Sequence, residues 1–77
     1  MENYNEIKTM QYLKIYTAMH TSQDYWNNGN LKLAKKYVKI AEMENLELIT
    51  NCNKKDIKKA YNIYNLIKKI EETMNFS

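Results

Sequence analysis

Seventy-seven residues with a net charge of +3, one Gly, no Pro and one Cys describe one small helical domain over 1–77, near the lower size limit for a self-sufficient core. This composition excludes loop-rich, collagenous and disordered chains, and a single Cys excludes an internal disulfide. All twelve basic residues are Lys, and the absence of Arg removes the side chain best suited to bidentate readout of guanine or phosphate.

The abundance of Lys, Asn and Ile suggests AT-rich coding, which fits a low-GC bacterium or its phage or plasmid. No apolar run approaches the length of a membrane span, and the first ten residues lack the basic-then-apolar order of a signal peptide. A reduced, cytoplasmic protein without a membrane partner is expected.

Apolar periodicity predicts an all-α, three-helix, up-down-up bundle with helices at about 3–27, 31–49 and 54–74. The first helix carries Tyr12, Ile15, Tyr16, Met19 and Trp26 on a broad stripe, and Ile7, Met10 and Leu13 extend the apolar character around the cylinder. Such a helix is usually sandwiched between neighbours or shared with a partner. Asn27, Asn28, Gly29 and Asn30 then supply a left-handed cap for the first helix and an N-cap for the second, closing a tight αα-hairpin.

Leu31, Ala34, Val38 and Ala41 place one stripe of the second helix toward the core, with Tyr37 beside it. The segment 50–53 is expected to be the second turn, with Asn53 and Asp56 at capping spacing. The third helix has the cleanest amphipathic pattern: Ile57, Ala60, Ile63, Tyr64, Ile67, Ile70 and Met74 form its stripe. Lys54, Lys58, Asn62, Asn65 and Lys69 line its opposite face.

Both later helices open with lysines and close with glutamates, against the helix dipole. Antiparallel packing would set each basic start beside the other's acidic end, a weak contribution that selects topology more than it stabilises.

Ser22, Tyr25, Gly29, Ala34, Val38 and Ala41 reproduce the spacing of the small, aromatic, Gly, Ala, aromatic and Ala positions of a tetratricopeptide repeat, which the segment at about 15–48 resembles. It departs from the family at Ala18, Thr21 and Leu46, and one repeat length onward Cys52, Asp56, Lys59 and Ile63 do not continue the pattern. The resemblance implies a single divergent hairpin. It also implies a peptide- or helix-gripping face containing Tyr16, Met19, Gln23, Trp26 and Asn27. The competing reading of the same residues is that the third helix fills that groove and makes them core.

No Gly-rich phosphate loop, metalloprotease motif or nucleophile elbow is present. His20 and Asp24 have the spacing of a helix-surface pair, and Cys52 reads as an incidental turn residue. No catalytic residue, metal site or cofactor is therefore assigned. The expected function is a non-catalytic protein-binding module, such as a small stand-alone inhibitor or regulator from a phage or mobile element. The alternatives are non-specific nucleic-acid binding through Lys54, Lys55, Lys58 and Lys69, and a structural homodimer completed across a two-fold axis.

Overall fold

The computed structural model describes residues 4–75, and these form three α-helices: α1 over Tyr4–Asn27, α2 over Leu31–Asn51 and α3 over Lys54–Asn75. The all-α three-helix bundle expected from periodicity is the observed architecture, with α1 packed on α2 and α2 on α3. The expected first residue of the opening helix, position 3, lies outside the described residues.

Gly29 takes a φ of 81°, the left-handed region that only Gly enters without penalty. Its N–H donates to the Trp26 carbonyl and the Asn30 N–H to the Tyr25 carbonyl, the paired bonds of a Schellman cap. The Asn30 side chain then accepts from the Leu33 N–H and opens α2. A Cβ at Gly29 would meet nothing within 4 Å, so only backbone strain opposes substitution. Gly29→Ala is expected to cost about 1 kcal/mol, read as a lowered midpoint in urea with an unchanged slope.

Helix α2 continues two residues past the expected end at 49. The Thr50 hydroxyl donates to the Leu46 carbonyl, the Asn51 amide to that of Glu47, and the Cys52 N–H to that of Leu48. These bonds satisfy carbonyls that a helix end would otherwise leave open. The turn therefore shrinks to Cys52 and Asn53, and α3 runs one residue past 74.

Lys8, near the start of α1, is paired with Asp56 near the start of α3. Ser22 and Met74 meet at the other end. Helices α1 and α3 are thus parallel, with α2 antiparallel to both.

The core joins Ile15, Ala18 and Met19 of α1 to Ala34, Val38, Ala41 and Leu48 of α2 and to Ala60, Ile63, Ile67 and Met74 of α3. Small residues let α1 and α2 approach closely enough for the buried Ser22 hydroxyl to donate to the Ala34 carbonyl at 2.8 Å. Tyr25 and Tyr37 stack across the same hairpin with ring centroids 5.6 Å apart. The Cα envelope measures 43 × 22 × 13 Å, a slab in which α3 covers one broad side of the hairpin.

Four expected core positions differ. Leu31 is exposed because it opens α2 at the hairpin edge, and Tyr16 points past the core stripe of α1. Ile57 and Tyr64 of the α3 stripe are only half-buried. Polar Asn45 and Glu42 of α2 are buried instead.

Candidate partner-binding site

The five residues assigned to a partner-binding face divide along α1. Met19 is buried under α3 and belongs to the core, because the apolar stripe of α3 lies along this part of the α1–α2 hairpin. Tyr16 is exposed at the flank and does not join the others. Gln23, Trp26 and Asn27 come together at the C-terminal end of α1, where they face Ile70, Thr73 and Met74 of α3 across a cleft of about 340 Å³.

Trp26 is half-buried, with part of the indole packed on the core. Its position follows from helical spacing: Trp26 is seven residues, or about two turns, beyond Met19, so both point toward α3. The groove alternative and the core alternative each apply to part of the set. The helix pair is covered at Met19 and open at Trp26.

The four assigned lysines are all exposed, and they lie at the start and on the outer face of α3. Among the described residues, Lys54, Lys55, Lys58 and Lys69 take part in no ion pair. Helix α3 also presents Tyr61 and Leu66 among its outward-facing side chains. Neighbouring Lys59 instead lies over the Tyr12 ring at 4.4 Å.

The antiparallel order of α2 and α3 is as expected, but among the described residues no ion pair joins the basic start of one to the acidic end of the other; the pair between them uses Lys68, in the later half of α3. Glu42, buried on α2, accepts from Lys39 at 2.9 Å and from Lys68 of α3 at 2.5 Å, while Lys68 also reaches Glu71 at 3.2 Å. Glu44 and Glu47 turn toward the outer groove between α1 and α2, away from the basic start of α3. His20 and Asp24, spaced as a surface pair, are exposed and joined by no hydrogen bond or ion pair.

Comparison with protein-family models, with curated proteins and with solved structures returns no match to the chain. The chemistry of the site therefore rests on its own residues.

Hydrogen bonds from Lys68 and then Lys39 hold the Glu42 carboxyl below the ordinary carboxylate range, against the opposing effect of burial. The same contacts hold the Lys68 and Lys39 ammonium groups above theirs. Because the Glu42 pKa is depressed in the folded state, its contribution is full above the ordinary carboxylate range and disappears as pH falls through the lowered value. Both lysines are well exposed and solvent-screened, so Glu42→Gln is expected to cost only about 1 kcal/mol at neutral pH. Urea unfolding at neutral and strongly acidic pH would show this difference closing on acidification.

Sequence periodicity did not single out Glu42 or Asn45 as interior residues. Both lie on the Val38, Ala41 and Leu48 side of α2, so their place on that stripe was the available signal.

Proposed function

We propose that the chain is a non-catalytic protein-binding module that occludes a surface of its partner in the cytoplasm, as a small inhibitor or regulator carried by a phage or other mobile element, for example an anti-defence or anti-CRISPR-type protein. The observation that carries this reading is the Trp26 cleft. A half-buried indole beside Gln23 and Asn27, with Ile70 and Met74 opposite, offers an apolar floor with amide groups at its rim. Aromatic anchors of this kind concentrate binding energy in protein interfaces.

The resemblance of residues 15–48 to a tetratricopeptide hairpin supports the same face. Helix α3 closes its middle and leaves the Trp26 end accessible.

Trp26→Ala is expected to weaken the partner by about 30-fold or more, equivalent to roughly 2 kcal/mol. Because Trp26 also touches the core, Gln23→Arg is the second variant: it blocks the cleft from an exposed position without removing core packing. Capture of a partner from nuclease-treated low-GC bacterial lysate at high salt, followed by titration of the purified pair against both variants, tests the proposal. Equal affinity of the wild type and both variants would overturn it.

The unpaired lysines favour a second reading, nucleic-acid binding without base readout. It predicts affinity that falls steeply with salt and is lost on charge reversal at Lys54, Lys55 and Lys58 while Trp26→Ala leaves it unchanged.

A further inference from the structure

The broad side of the hairpin opposite α3 exposes apolar side chains of both α1 and α2. On α1, Met10 and Leu13 are 62% and 66% exposed, and on α2 Ile40 is 38% exposed. Two adjoining hollows of about 400 and 460 Å³ run between the helices here, and Lys14 and Glu44 line both. Contiguous exposed apolar surface of this kind marks an interaction site more often than a solvated face.

We infer that this α1–α2 face is a homodimer interface, in which a second copy of the chain packs face to face about a two-fold axis parallel to the helices. Three observations select a second copy as the occupant.

The first is charge. Lys14 stands on the α1 wall, Glu44 and Glu47 stand on the α2 wall at neighbouring levels, and among the described residues none of them takes part in an ion pair. A two-fold axis parallel to the groove lays α1 of one copy over α2 of the other at unchanged level. Lys14 of each copy then faces the Glu44 and Glu47 region of its partner, twice over, as a self-complementary interface requires. A two-fold axis across the helices would instead bring each wall over itself, with glutamate opposing glutamate and Lys14 opposing Lys14. Like-charge juxtaposition disfavours that pairing.

The second is apolar fit. The parallel axis also sets Met10 and Leu13 of one copy against the α2 wall that carries Ile40 in the other. The flexible Met10 side chain can fill the irregular space between two helix pairs.

The third is the size of the core. Four of its eleven buried apolar residues are Ala, a small apolar volume for a chain of 77 residues. Packing two hairpins into a four-helix layer buries the remaining apolar surface, with one α3 on each outer side. The Trp26 cleft lies between α1 and α3, away from this face, so the dimer displays two such clefts and gains avidity for a partner with repeated sites.

The proposal is tested by sedimentation equilibrium over a wide concentration range with the wild type, Leu13→Glu, Lys14→Glu and Glu44→Lys/Glu47→Lys. All four altered positions lie outside the core, and circular dichroism confirms that each variant remains helical. The wild type is expected to reach twice the chain mass. Leu13→Glu and each single-sign charge variant are expected to weaken self-association at least about 10-fold. Mixing Lys14→Glu with Glu44→Lys/Glu47→Lys is expected to restore a dimer tighter than either variant forms alone. A wild type that stays monomeric at millimolar concentration overturns the inference, as does a dimer unaffected by Leu13→Glu or by the charge exchange. Trp26→Ala leaves the mass unchanged in every case, so failure here and failure of the cleft are separable.

Discussion

Ile15→Ala is expected to remove about 3 kcal/mol of stability, whereas Leu13→Ala, two residues away on the same helix, is expected to change it by less than about 0.5 kcal/mol at low protein concentration. The contrast comes from packing alone, since both substitutions shorten an aliphatic side chain to the best helix former. Ile15 has 0% exposure and belongs to the core shared by all three helices, while Leu13 is 66% exposed on the opposite side of α1. Truncating Ile15 loses the transfer free energy of its methyl and methylene groups and leaves a cavity that three constrained helices cannot fully close. A domain of this size has a total stability on the order of 4–12 kcal/mol, so the loss is a large fraction of it. At a fixed protein concentration the melting temperature should fall by roughly 12–24 °C for Ile15→Ala. Equal melting temperatures for the two variants would mean that the packing of α1 is not the one described.

Asn45→Asp is expected to be more severe, at about 3–5 kcal/mol near neutral pH. Asn45 is completely buried, and its amide donates to the Ala60 carbonyl of α3 at 3.2 Å, linking the two helices from within the core. The same side chain leaves its own carbonyl oxygen without a hydrogen-bond partner, so the site already bears some desolvation cost. An ionised carboxylate there would lose the donor and face the Ala60 carbonyl oxygen. Burial raises the folded-state pKa of such a group above its unfolded value of about 3.9, so the penalty grows as pH rises through that value and beyond. The gap between wild type and variant should therefore close below about pH 4, where the protonated carboxyl can donate to Ala60 again. Urea titrations of both proteins at several pH values measure it directly. A constant gap from acid to neutral pH would exclude a buried charge as the cause.

Much of this architecture is legible along the chain. Gly29 between two Asn-rich neighbours marks the hairpin turn, because a helix that must reverse in three residues needs a left-handed position, and only that Gly can take it without strain. Ala60, Ile63, Ile67 and Met74 recur on one stripe of α3, and that stripe is the buried one. The end of α2 was less legible. Backbone capping by Cys52 and side-chain bonds from Thr50 and Asn51 extend it through residues whose types suggest a turn.

The candidate site was legible only in part. Tyr16, Met19, Gln23, Trp26 and Asn27 occupy neighbouring angular positions on α1, yet one is buried, one stands apart and three line a cleft. Along the chain nothing distinguishes them, because α1 is apolar around most of its circumference. Likewise, the lysines and glutamates announce an antiparallel complement, but which carboxylate meets which ammonium depends on side-chain direction at the crossing. Glu42 turns inward to Lys68, while Glu44 turns outward into the groove beside Lys14.

The sequence by itself determined three helices, the hairpin turn and the buried stripe of α3, because helix periodicity and capping are local properties of consecutive residues. Only the tertiary structure decided that α3 lies over Met19 and stops short of covering Trp26, that Asn45 is interior, and that Met10, Leu13 and Ile40 share one uncovered face. Periodicity gives the direction of a side chain around its own axis. What stands opposite it is set by how separate helices cross, which no single helix encodes.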